Sequence, residues 1–178
     1  MRLRVPDLVH ATHSVGVVAL ATACIAGHIT DTAVVAASSP YMVLDLVAHY
    51  GAGNRAMVAH HVATLLLYAL GAGSRAPWLH LPSRMLLIEA SVPLLLYWKR
   101  KRASRWRWWA LVIGYGLNRV VYLGYSTWSR TQPGSLGLAL GYWEVTAMVW
   151  IARLMHVGLC VWFGRILGTK PRTADSKL

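Results

Sequence analysis

Residues 41–70, YMVLDLVAHYGAGNRAMVAHHVATLLLYAL, decide how this chain is read. Two apolar runs flank a GAGN break, and each is long enough to be a helix. Yet the runs carry Asp45, His49, His60 and His61. A second stretch, residues 85–96, MLLIEASVPLLL, adds Glu89 inside another apolar run. Ionisable side chains are costly in hydrocarbon, so they face a protein interior or a wet cavity. The remainder of the chain reads as the scaffold that brings these five residues together.

Composition points to a membrane. Hydrophobic residues make up 56% of the 178 and charged residues 13%, whereas a soluble domain carries about 25% charged residues. The formal net charge of +12 would suit nucleic acid. The basic residues, however, sit between long apolar runs, as they do in cytoplasmic loops of membrane proteins. No basic soluble module is present, so no nucleic-acid partner is expected. Cys24 and Cys160 lie far apart in apolar segments and read as packing residues rather than a disulfide.

A transmembrane helix needs about 20 mostly apolar residues. Six runs qualify, at roughly 8–28, 33–50, 56–72, 84–98, 108–128 and 137–164. The fold class expected is therefore all-α. It is a polytopic membrane protein, a bundle or partial barrel of six transmembrane helices with both termini cytoplasmic. Residues 1–7 form the N-terminus, 8–167 the membrane domain and 168–178 a polar tail. Six spans place thirteen Lys and Arg on one side, including Arg2, Arg4, Arg55, the run from Lys99 to Arg102, Arg105 and Arg107. Only Arg75, Arg84 and Arg130 fall on the other side, and that asymmetry orients the chain. Trp98, Trp106, Trp108 and Trp109 are expected in the headgroup layer. Gly114, Gly116, Gly124, Gly137 and Gly141 are expected at close helix contacts.

Residues three, four or seven apart share a helix face. Span two presents Ser38, Tyr41, Asp45 and His49; span three presents His60, His61, Thr64 and Tyr68; span five presents Tyr115, Asn118, Arg119, Tyr122 and Ser126. Such stripes need partners, so they are expected to face one another or a cavity. Asp45, His49, His60 and His61 should form one cluster in the cytoplasmic third. Pro93 lacks an N–H, so a kink there should leave the Glu89 carboxyl and its carbonyl open to the interior. Arg119 needs a carboxylate, and Glu89, Asp45 and Glu144 are the candidates. A Glu89–Arg119 pair that only fixes helix register is the plain alternative.

A histidine oriented by a carboxylate serves as base or nucleophile near neutral pH. His60, His61 and Asp45 are the candidate catalytic residues. His49, Tyr41, Thr64, Tyr68, Glu89, Asn118, Arg119 and Tyr122 are candidates for lining a lipid or substrate cavity. His10 and His13 give the one HxxH spacing, too few for a di-iron lipid oxidase, so no metal is expected. No GxSxG, P-loop or HExxH pattern is present.

Taken in order, YMVLDL with Asp45, the pair His60–His61, EASVP with Glu89, Ser91 and Pro93, and Asn118–Arg119 resemble the TLC-domain family across about residues 8–167. That family includes the ceramide synthases. The resemblance implies six transmembrane helices around a lipid-binding cavity, commonly in the endoplasmic reticulum. It implies acyl-CoA-dependent N-acylation of sphingoid bases, with His60 and His61 inheriting the reactive role beside Asp45. Ceramide synthases carry a further His-Asp motif after the His pair. Residues 65–88 here contain no Asp, so the chain looks most like the shorter TLC-domain proteins linked to membrane-lipid composition. The expected function is long-chain lipid binding in membrane lipid metabolism or homeostasis. The alternatives are an N-acyltransferase proper and a secretory-pathway cargo adaptor. Expected partners are membrane lipids, with acyl-CoA and a sphingoid base as candidate substrates, and a candidate homodimer. No cofactor is expected. The terminal Ser176-Lys177-Leu178 matches a peroxisomal address and keeps that membrane as a minor alternative.

Overall fold

The computed structural model describes residues 6–74, 80–100, 104–128 and 141–169, with only the backbone of Arg100. Among them every regular element is helical. Long helices are α1 (Asp7–Ile25), α2 (Asp31–Gly51), α3 (Arg55–Ala72) and α8 (Trp143–Gly168). Between α3 and α8 lie two interrupted rods. The first is α4 (Leu81–Leu86), a 3-10 segment (Leu87–Ser91) and α5 (Val92–Arg100). The second is α6 (Arg105–Tyr115), a π-helical segment (Gly116–Tyr122) and α7 (Leu123–Trp128).

Helix ends follow local chemistry. Gly27 and Gly53 adopt left-handed φ of 84° and 71°, which glycine does without steric cost. They close α1 and α2 with bonds from His28 N to Ala23 O (2.9 Å) and from Asn54 N to His49 O (3.0 Å), the Schellman pattern. Thr30 and Asn54 then cap the next helices through Ala33 N and Met57 N. These tight reversals make α1, α2 and α3 antiparallel neighbours.

Packing runs in a ring. α2 packs on α1, α1 on the first rod, that rod on the second, the second on α8, α8 on α3 and α3 on α2. Two apolar clusters fill it. One joins Leu67, Ile88, Leu111, Leu123 and Met148; the other joins Val17, Cys24, Val34, Met42 and Leu86. Outside the ring, Leu8, Val15, Val47, Ile113, Leu117, Leu154 and Val161 are exposed. By length and composition, α1, α2 and α8 can each cross a membrane, and at most a third of the most apolar window of each is buried. The outward surface of these helices is therefore apolar, as a lipid-facing surface is.

The two interruptions fit together. The expectation of an open Glu89 carbonyl at Pro93 is overturned, because Glu89 O accepts the Val92 N–H in the tighter 3-10 geometry. Two carbonyls of the first rod also accept side-chain donors from the second rod. Asn118 Nδ2 donates to Leu87 O (3.2 Å) and Tyr122 O–H donates to Arg84 O (3.2 Å). The π segment thus turns the span-five stripe onto the backbone of the first rod. Its own Val120 O meets Nε2 of His156 at 3.0 Å, while His156 Nδ1 accepts from Trp128 Nε1 (2.9 Å). With Nδ1 accepting, Nε2 carries the proton, and this neutral imidazole is a plug for the π segment.

Some expectations about packing change. Trp106 and Trp109 are exposed, as a headgroup belt requires, but Trp98 and Trp108 are buried in the core. Both lie on the inward faces of their helices, and apolar contact outweighs the belt preference. Gly114, Gly116 and Gly124 are close contacts: a Cβ would press on Leu94, on Phe163 at 3.1 Å and on His156 at 3.0 Å. Gly141 is not one; its φ is 64°, with nothing near a Cβ, so it turns the chain before α8. Gly137, Arg75, Lys101, Arg102, Arg130 and the tail with Ser176-Lys177-Leu178 lie outside the described residues.

Candidate functional site

Asp45 is 4% exposed and lies on the inward stripe of α2. Three imidazoles from three helices surround its carboxylate. Nε2 of His61, from α3, lies 2.8 Å from Oδ2. Nε2 of His49, one turn along α2, lies 3.6 Å from the same oxygen, and Nε2 of His10, from α1, lies 3.9 Å from Oδ1. The His49 and His61 rings stack at 5.6 Å. These residues lie about 3–9 Å from their helix ends at 1.5 Å rise per residue, and all three ends fall on one side of the ring. Antiparallel packing of α1, α2 and α3 makes that coincidence unavoidable.

His61 is the unusual member. It is 4% exposed. Nε2 is within bonding distance of Asp45, and Nδ1 has no hydrogen-bond partner among the described residues. Buried polar atoms without partners are rare and costly. His61 therefore holds unused bonding capacity beside a carboxylate. His60 is half-buried, with its ring 5.4 Å from His61; its backbone O accepts from Thr64 Oγ1 at 3.0 Å. Of the two adjacent histidines, His61 contacts Asp45.

Tyr41 extends the cluster. Its hydroxyl bonds His10 Nδ1 and its ring stacks on His13, with centroids 3.6 Å apart. Ser38 Oγ then joins His13 Nε2 (3.4 Å) to the Tyr68 hydroxyl (2.8 Å). The sequence groups Asp45, His49, His60 and His61, names Tyr41, Thr64 and Tyr68 as cavity-lining residues and assigns nothing to the α1 face. The signal was available: His10, His13 and Ser14 share the stripe that continues through Val17, Ala21 and Cys24, and that whole face is turned inward.

Glu89, Asn118 and Arg119 form a separate layer. Arg119 is 5% exposed. It donates from Nε to Ser91 Oγ (2.7 Å) and from Nη2 to Glu89 Oε1 (3.3 Å), with its guanidinium 5.3 Å from the Tyr115 ring. Of the three carboxylates offered by the sequence, Glu89 takes the contact. With Asn118 and Tyr122 capping carbonyls, these four residues bind the two rods to each other. The layers still feel one another: Arg119 is within electrostatic reach of His60, and Glu89 of Tyr41 and Tyr68. Arg153 stacks on Trp128 at 4.5 Å and on Trp150 at 5.0 Å.

Two openings among the described residues illustrate the free space. A cavity of about 30 Å³ lies among Leu67, Leu81, Met85 and Met148, room for little more than a water. A groove of about 450 Å³ opens between the end of α3 and the start of α8, at Leu70, Gly73, Trp143 and Glu144. Neither is lined by Asp45 or a histidine.

Two groups have metal-ligand chemistry. The donor atoms of Asp45, His49 and His61 lie within 4.8 Å of one another, as do those of Cys24, Asp31 and His80. Comparison with family models, curated proteins and solved structures returns no match for this chain. The site is therefore read from its own chemistry.

Proposed function

We propose that this is a six-span integral membrane protein of the TLC-domain type. In this reading both termini are cytoplasmic, and long-chain lipid binds with its polar end at the Asp45–His61 cluster. It works in membrane lipid metabolism or homeostasis, with sphingolipid the first class to test and the endoplasmic reticulum the expected membrane. The carrying observation is His61: buried, with Nε2 2.8 Å from Asp45 and no partner for Nδ1 among the described residues. A lipid amine, hydroxyl or amide supplies the bonding that this ring lacks. Supporting the span count, α3 runs 18 residues, and the two rods run unbroken by loops from Leu81 to Arg100 and from Arg105 to Trp128.

The test is lipid mass spectrometry on purified protein. Wild type should retain one long-chain class enriched over the bulk membrane. Asp45→Asn and His61→Ala should reduce that enrichment by about tenfold or more, the equivalent of one lost hydrogen bond to a charged group. Bound lipid indistinguishable from the bulk membrane would contradict the reading.

The same contact favours a second reading, acyl transfer. His61, oriented by Asp45, would take a proton from a long-chain amine as its nitrogen attacks the acyl-CoA thioester. The C–S bond then breaks and CoA leaves as the thiol after taking up that proton. With labelled acyl-CoA and sphingoid base, loss of a general base costs about 10²–10⁴ in rate. His61→Ala should show that loss, and product persisting in both His60→Ala and His61→Ala would exclude the histidine mechanism.

A further inference from the structure

At the opposite end of α1 and α2 from Asp45, three ligand-type side chains converge. Cys24 is in the last turn of α1, Asp31 begins α2 and His80 immediately precedes α4. Cys24 is fully buried and Asp31 is 6% exposed. Cys24 Sγ lies 3.4 Å from His80 Nδ1, and the same nitrogen lies 3.2 Å from Asp31 Oδ2. Asp31 Oδ1 is occupied elsewhere, accepting from Ser83 N (3.1 Å) and from Ser83 Oγ. We propose that Cys24, Asp31 and His80 form a binding site for a divalent ion of the zinc class, with Ser83 positioning the carboxylate.

The geometry separates this from a catalytic relay. In a Cys–His–Asp relay, the thiol and the carboxylate use different ring nitrogens. Here both approach Nδ1, so all three donors point at one shared region. Tetrahedral zinc with Zn–S of about 2.3 Å and Zn–N and Zn–O of about 2.0–2.2 Å sets the S···N edge near 3.5 Å and the N···O edge near 3.4 Å. The observed edges are 3.4 and 3.2 Å. Thiolate, imidazole and carboxylate are accepted zinc ligands. The charges also balance: one thiolate and one carboxylate offset a dication, while the imidazole stays neutral. Binding releases the thiol proton to solvent as the Cys24 S–metal bond forms. The His80 side chain is 26% exposed, which gives an entry path and leaves the fourth position to water. Asp31 Oδ1, held by Ser83, fixes the carboxylate so that Oδ2 faces the other two donors, a supporting interaction of the kind that tunes metal affinity.

This site shares no residue with the Asp45 cluster, so its test is independent of the proposed lipid function. Full-length protein is purified in detergent with reductant and stripped of metal. It is then titrated with Co²⁺ and followed by absorbance. One equivalent should give tetrahedral d–d bands and a thiolate-to-cobalt charge-transfer band, both abolished by added Zn²⁺. Asp45, His49 and His61 contain no sulfur and cannot produce that band. Cys24→Ser should remove it and Cys160→Ser should leave it. His80→Asn, which tolerates the left-handed backbone at this position (φ 47°), should bind on the order of 100-fold more weakly. Wild type without the thiolate band overturns the proposal whatever the variants do. So does a band that survives in Cys24→Ser.

Discussion

A carboxylate as buried as Asp45 needs company, and so does a guanidinium as buried as Arg119. The chain answers the two needs differently. Asp45 is met by three titratable imidazoles, while Arg119 is met by a fixed carboxylate, Glu89, and the Ser91 hydroxyl. The first arrangement draws imidazoles from three helices to one carboxylate; the second clamps one rod to the other. Breaking a buried pair by removing one member leaves the other charge unpaired and costs about 3–5 kcal/mol. Glu89→Leu should therefore lower unfolding stability in detergent by roughly 3 kcal/mol, with the double variant Glu89→Leu/Arg119→Met recovering most of it. A single variant no worse than an exposed substitution would show that the clamp is not needed. The requirement for an Arg119 partner was legible in the sequence, because a charge at mid-span must be paired. Which histidine meets Asp45 was not: His60 and His61 are adjacent, and only the rotation of α3 against α2 selects His61.

At the scale of elements, the two interrupted rods are the informative ones. Carbonyls of the first rod, Arg84 in α4 and Leu87 in the 3-10 segment, accept from side chains of the π segment on the second. Such breaks inside an apolar bundle persist only where neighbouring groups satisfy the freed backbone. Asn118→Leu should remove the bond to Leu87 O that ties the rods together and cost about 0.5–1.5 kcal/mol. Chemical or thermal unfolding of the purified variant measures this, and an unchanged midpoint would mean the carbonyl finds another donor. Pro93 announced a break in the sequence but misplaced it by assigning the open carbonyl to Glu89. Proline removes one α-helical donor; it does not reveal that the preceding turn tightens to use the Val92 N–H instead. The π segment has no marker in composition at all, since Gly116–Tyr122 reads as continuous helix. The α1 contribution was legible in principle, because His10, His13 and Ser14 are polar positions on one face. Their partners depended on how α1 crosses α2, which periodicity along a single helix does not contain.

For the whole molecule, the ring of helical rods separates three zones. An apolar surface faces outward, an apolar core holds the rods together, and polar clusters sit at opposite ends of α1 and α2. The end built from Asp45, His10, His49 and His61 is where the account places the polar part of a lipid. The direct measurement is photo-crosslinking with a bifunctional sphingoid lipid carrying its photoactivatable group near the head, with the protein in nanodiscs and the labelled peptides identified by mass spectrometry. Label should concentrate in peptides spanning residues 7–25, 31–51 and 55–72. Unlabelled lipid should compete it away, and Asp45→Asn should reduce it several-fold. Label confined to the outward faces of α8 and α6, without competition and unchanged in Asp45→Asn, would contradict it.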